Sequence, residues 1–269
     1  MKSLPSRPDI DHLNRQAKDL LADVRRSAPE AIARVRYALP AAAGQDAAAI
    51  SRLELRLHDA QSCIAREYGF ESWAELRAYI DASWTHHVDS AALATAFCGL
   101  VYAGDITGGT NHARPQAAAR LLTDHRDLLG RDPWIACAGG NIETVRRRIE
   151  ADASWVDRTG GPLDLTPLVA TTHSSLLRVD GYRERLHAVA DLLLKAGADP
   201  NRSVARRWTA STDASPREWR ASALHGAVGV NFDPDLTRWL LAAGADPNDG
   251  ESLYHSLVRG DNYDGRLLS

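Results

Sequence analysis

Ten histidines and three cysteines are the side chains of this 269-residue chain best suited to chemistry, and their spacing decides which chemistry is open to them. His86-His87 followed by Asp89 offers two imidazoles and a carboxylate, the beginning of a metal site or an acid–base pair. Zinc requires three or four converging ligands. Nothing at ligand spacing joins this trio, which reads as the polar end of a helix and a linker. Cys98 beside a base such as His112 would form a Cys–His nucleophile. Cys98 and Cys137 stand among Ala and Gly, however, where small buried thiols let helices pack closely. The GxSxG, HExxH, P-loop and GxGxxG patterns are all missing. We therefore expect no catalytic residue, no metal and no cofactor. An enzyme built on this chain would rely on His112, His173 and His225 as acid or base, in a small-molecule pocket in the groove between residues 1–84 and the rest of the chain.

Residues 202–221 carry the most concentrated binding chemistry. Arg202, Arg206, Arg207, Arg217 and Arg220 stand there against Asp213 and Glu218, with Trp208 and Trp219 among them. Arg and Trp dominate binding hot spots because both bury large areas and Arg forks onto carboxylates or phosphates. A turn over Ser211 to Pro216 would make the segment a long hairpin. Its expected partner-binding residues are Arg206, Arg207, Trp208, Arg217, Trp219 and Arg220. Arginine beside tryptophan also suits stacking on single-stranded bases. The whole chain, with 32 Lys and Arg against 35 Asp and Glu, supplies no wider basic field for nucleic acid. Another protein is the expected partner.

The elements that position these residues come from a repeat. Gly197-Ala198-Asp199-Pro200-Asn201 recurs word for word as Gly244-Ala245-Asp246-Pro247-Asn248, 47 residues later. Each copy ends an amphipathic run with Gly at a helix C-terminus, followed by a turn. Upstream, Thr166-Pro167-Leu168, Ser222-Ala223-Leu224-His225 and Ser252-Leu253-Tyr254-His255 open short helices. Ile135 to Asn141, Ile142 to Ile149 and Asp152 to Asp157 form a worn copy of the unit, and Ala91 to Val101 with Pro115 to Leu122 an older one.

These motifs resemble the ankyrin repeat, whose helix-turn-helix unit opens T-P-L-H-x-A, closes G-A-D-x-N and has a period of about 33 residues. The excess length falls between Asn201 and Ser222, where ankyrin proteins carry a hairpin finger. The resemblance implies about four repeats over residues 88–269 plus a partial C-terminal repeat, with an enlarged finger at 202–221. It also implies a binding surface along the first-helix row, at Thr172, His173, Ser174, Gly229 and Arg259. His225 and His255, in the T-P-L-H position, take a structural role. The implied function is a non-catalytic protein-binding module of bacterial type, working through its concave groove and the finger. The incomplete last repeat leaves homo-oligomerisation through an uncapped edge as a further reading.

Residues 1–84 are of a different kind. Ile10, Leu13, Ala17, Leu20, Leu21 and Val24 share one helical face. Ser27 and Glu30 form a capping box for a second helix. A third helix is expected from Ile50 through Ile64 to a stop at Gly69, and a fourth opens with Ser72 and Glu75 and carries Trp73. The stretch from Asp59 through Tyr68-Gly69-Phe70 to Ser72-Trp73 resembles the helical head of bacterial ankyrin proteins. The expected fold is all-α, a four-helix region followed by a solenoid. The N-terminal MKSLPSRPDIDH has no apolar h-region and no stretch is long enough to span a bilayer, so a cytoplasmic location without membrane contact is expected.

Overall fold

The structure is a computed structural model that describes residues 2–5, 7–85, 90–208 and 217–257. The fold is mostly helical, with one two-stranded antiparallel ribbon among the described residues. Two compact units, Met1–His87 and Val88–Ser269, divide the chain. Among the described residues no helix is long and apolar enough to cross a membrane.

In the first unit, α1 (Ile10–Arg25) is opened by Asp9, whose carboxylate accepts the N–H groups of Asp11 and His12. It buries Leu13, Ala17, Leu20, Leu21 and Val24. α2 (Pro29–Ala38) starts differently from the capping box expected of Ser27. Pro29 occupies its first turn, Ala28 is the cap without a side-chain bond, and Ser27 lies in the left-handed region with φ of 57°. Proline supplies the fixed φ of a helix start, so the serine is free to close the preceding turn. The single helix expected from Ile50 to Ile64 is two, α3 (Ala47–Arg52) and α4 (Leu57–Glu67). Leu53, extended at ψ of 125°, breaks them apart, and Asp59 accepts the Arg56 N–H to begin the second. With α5 (Trp73–Thr85), opened by Ser72 accepting the Glu75 N–H, the region expected to hold four helices holds, among the described residues, five α-helices and a 3-10 turn at Pro40–Ala42. α4 is the hub, packed on α1, α2 and α5. Glu67 ties it to Arg34 through two bonds of 2.6 and 2.9 Å.

The second unit begins with α6 (Ser90–Val101), the single-turn α7 (Gly104–Thr107), α8 (Pro115–Asp124) and α9 (Leu128–Arg131). Helix pairs follow: α10 (Pro133–Gly139) with α11 (Ile142–Ala151), then α12 (Pro167–Thr172) with α13 (Arg183–Lys195). The ribbon β1 (Val204–Trp208) and β2 (Arg217–Ala221) comes next, then α14 (Ala223–His225), which runs on through Gly226–Val230, α15 (Pro234–Ala242) and α16 (Ser252–Leu257). The short helices α10, α12, α14 and α16 touch one another in succession, and α11 packs on α13. The core between them is Ile135, Ala136, Val145, Leu168, Val169, Leu186, Val189, Leu193, Leu224, Leu236 and Leu240, all buried.

Polar bonds set the spacing of the pairs. Thr166, Ser222 and Asp233 each accept an N–H of the helix they open. Asp249 joins two such starts, accepting the hydroxyls of both Ser222 and Ser252. Asp233 is almost fully buried and receives Arg183 at 2.9 Å and His187 at 2.7 Å, linking α13 to α15. Gly197 and Gly244, with φ of 92° and 93°, adopt the left-handed turn that closes α13 and α15.

Candidate functional site

The hairpin expected from residues 202–221 is present: Val204 pairs with Ala221 at its base and Trp208 with Arg217 at the far end of the described ladder. The turn expected over Ser211 to Pro216 lies outside the described residues. Val204 and Ala221 are buried and anchor the ribbon. Arg206 turns inward, donating to the backbone carbonyls of Leu163 and Asp164, and burial pushes its guanidinium below the ordinary arginine range. Arg220 is exposed but folds onto its own hairpin, bonding Ser203 Oγ at 2.8 Å and the Ser203 carbonyl at 2.9 Å. Both guanidinia therefore brace the ribbon, a role that charge counting along the sequence does not reveal. Trp219 leans toward α14 and meets the His225 ring edge-on, centroids 5.3 Å apart.

Beneath Trp219 lies a cluster of imidazole and carboxylate groups. Asp105 comes from α7, whose loop is drawn tight by the Gly104 N–H donating to the Asn111 carbonyl and by Asn111 donating to the Tyr102 carbonyl. His173 caps the end of α12, and its Nδ1 stands 2.9 Å from Asp105 Oδ2. His173 Nε2 lies 2.9 Å from the Ser222 carbonyl, which can only accept, so this nitrogen carries a hydrogen. Burial by itself would raise the Asp105 pKa, but the hydrogen bond and charge of His173 outweigh it and hold the carboxyl below its usual range. His225, on α14, is 4% exposed. Burial first, then repulsion from His173, pushes its pKa down to about 3, so its ring is neutral. Two buried polar atoms here have no hydrogen-bond partner among the described residues, Asp105 Oδ1 and His225 Nδ1.

The cluster opens into a cavity of about 640 Å³ lined by Asp105, Trp219, His225, Gly229, Val230, Glu251, Tyr254 and His255. Its aromatic walls are Trp219 from the ribbon and Tyr254 from α16, the latter 62% exposed. The His255 ring lies tilted against the His225 ring, centroids 4.9 Å apart, and pairs with Glu251 at 3.1 Å. Gly229 is required for space: a Cβ there would come within 2.6 Å of His225 Cδ2 and 2.8 Å of His255 Cβ. The lining thus combines aromatic faces with acceptors, a mixture suited to an apolar or cationic group carrying hydrogen-bond donors.

Beyond Arg206 and Arg220, the other expected surface residues divide as follows. Trp219 and Gly229 line the cavity. Thr172, His173 and Ser174 are fully buried, so the expectation that they face a partner is revised. Ser174 donates to the Ala138 carbonyl at 2.7 Å, and the Thr172 carbonyl accepts from Asn231 at 2.8 Å, so both support the cluster from behind. The side chains of Arg207, Trp208 and Arg217, and all of Arg259, lie outside the described residues, as do His86, His87 and Asp89.

His112 is exposed on the loop before α8 and is not among the cavity-lining residues. Cys98 is buried and its thiol is pushed up to about 12 by desolvation, which leaves no thiolate to attack at neutral pH.

Asp105, Val230, Glu251 and Tyr254 are the site residues that sequence reasoning missed. Asp105 stands 68 positions from His173 on a four-residue helix, and the only local signal is the Gly108-Gly109 turn that folds its loop back. Comparison with known proteins adds no assignment: no family model, curated protein or solved structure matches the chain.

Proposed function

We propose that the second unit is an ankyrin-type repeat solenoid that acts as a non-catalytic, cytoplasmic recognition module for another protein. Its binding locus is the cavity at the base of the finger. One observation carries this reading: Trp219 and the exposed Tyr254 wall an open cavity of about 640 Å³. Aromatic side chains in that position are typical anchors for an inserted side chain of a partner. The repeat reading is supported by the side-chain ladder between copies of Gly-Ala-Asp-Pro-Asn, in which Asn201 bonds Asp246 and Gly244. Stacked helix pairs with a protruding hairpin present an extended recognition surface.

The test is a paired capture from the source cells with two baits, wild type and Tyr254→Ala. Tyr254 is exposed, so its truncation leaves folding unchanged. A protein retained by wild type and lost from the variant supports the reading. One retained equally by both removes the cavity from it.

A second reading, a small-molecule pocket with His225 as a base, is favoured by the neutral imidazole at the cavity floor. Under that reading a metabolite raises the melting temperature of wild type and not of His225→Asn.

A further inference from the structure

We propose that Asp105, His173 and His225 form a binding site for one divalent transition-metal ion of the zinc class. One carboxylate oxygen and one ring nitrogen from each histidine lie within 4.8 Å of one another. Donors on a tetrahedral shell with bonds of about 2.1 Å stand about 3.4 Å apart, a difference that small side-chain rotations close. Two imidazoles with one carboxylate suit zinc, ferrous or cobaltous ions and disfavour magnesium and calcium, which take all-oxygen shells.

Three features of the cluster converge on a cation. His173 uses Nε2 to donate to the Ser222 carbonyl, so Nδ1 is the nitrogen turned to Asp105 Oδ2, 2.9 Å away; the hydrogen it shares with that carboxylate is released to solvent as the ion takes its place. A backbone carbonyl holding the far ring N–H is the usual orienting partner of a metal-bound histidine. Asp105 Oδ1 and His225 Nδ1 are buried and unpartnered, and His225 is more than nine-tenths buried at the cavity floor. A bound ion gives buried polar atoms of this kind a partner that the protein itself does not. Finally, Asp105 and His225 line the cavity, so the remaining coordination positions face open volume. Three protein ligands with an open position mark a site that exchanges ligands, in contrast to a closed structural site. The inference stands independently of the partner-binding reading, because it concerns the metal alone.

The experiment titrates the metal-free full chain with zinc chloride by calorimetry, and with cobalt chloride by visible absorption. The expected result is one tight equivalent, with the d–d bands of a low-symmetry cobalt site. Asp105→Asn and His225→Asn, each checked for native near-ultraviolet dichroism, weaken that equivalent by more than about 100-fold, beyond what loss of an outer partner alone produces. His86→Gln/His87→Gln retains it, which separates the site from the adjacent histidine pair in the sequence. X-ray absorption of the zinc-loaded wild type, which needs no variant to fold, shows two imidazoles with oxygen donors and no sulfur. The absence of a stoichiometric equivalent in wild type, retention of full affinity in both folded ligand variants, or a sulfur ligand overturns the proposal.

Discussion

The side chain of Asn201 reaches across to the next copy of its own motif: Oδ1 accepts the Asp246 N–H at 2.7 Å and Nδ2 donates to the Gly244 carbonyl at 2.9 Å. One repeat earlier, Asp157 Oδ1 accepts the Asp199 N–H at 2.9 Å, so the worn copy keeps the same rung. Among the described residues, Asn248 bonds only within its own turn, to Asp246. Asn201→Ala therefore loses two links between copies and is expected to cost about 1–2 kcal/mol in urea unfolding. Asn248→Ala is expected to cost less than about 0.5 kcal/mol, the range of an ordinary surface change.

The adjacent leucines of α15 divide in the same way. Leu240 is fully buried and Leu241 is 39% exposed. Leu240→Ala is expected to destabilise by about 2–5 kcal/mol through lost transfer energy and the cavity left behind. Leu241→Ala should stay within about 0.5 kcal/mol, measured by the same unfolding curves.

What the sequence made legible is what repeats or punctuates. The duplicated Gly-Ala-Asp-Pro-Asn marked where two helices end, and the inserted Arg/Trp segment marked the hairpin. Breaks without Gly or Pro were not legible. Leu53-Glu54-Leu55-Arg56 carries neither, yet the chain is extended at Leu53 between Ile50 and Ile64, both fully buried. The candidate site was legible only in part. Trp219, His173 and Gly229 stood out by type or by position in the repeat. Asp105 came from a distant loop, and the inward turn of Arg206 depended on the Leu163 and Asp164 carbonyls, which only folding brings near.

Acid should act on the link between α13 and α15. Burial alone would raise the Asp233 pKa, but the bonds from His187 and Arg183 outweigh it and hold the carboxyl well below its ordinary 3.8. A depressed folded-state pKa stabilises fully above the unfolded value and is lost as pH falls below it. Asp233→Asn is expected to cost about 2–3 kcal/mol at pH 7. The gap from wild type should close progressively below about pH 4, as chemical denaturation at a series of pH values would show.

Two glycines should respond to alanine with opposite signs. A Cβ at Gly226 would lie 2.5 Å from His173 Cδ2 and 2.8 Å from the Thr172 backbone carbon, with no free space to absorb it. Gly226→Ala is expected to destabilise by about 1–3 kcal/mol. A methyl group added at Gly99, inside α6, meets nothing within 4 Å. Gly99→Ala should therefore stabilise by about 0.5–1 kcal/mol. Thermal unfolding of the two variants beside wild type checks both signs.

Docking of a protein partner in the cavity at the finger base, the central claim, is tested most directly by site-specific photo-cross-linking in the source cells. A benzophenone amino acid replaces Tyr254 at the cavity wall in one strain and Tyr37, 89% exposed in the first unit, in another. The expected result is a discrete adduct with one protein from position 254 that disappears when Trp219→Ala is added, and none with that protein from position 37. The same adduct from both positions, or none from 254, would contradict the claim.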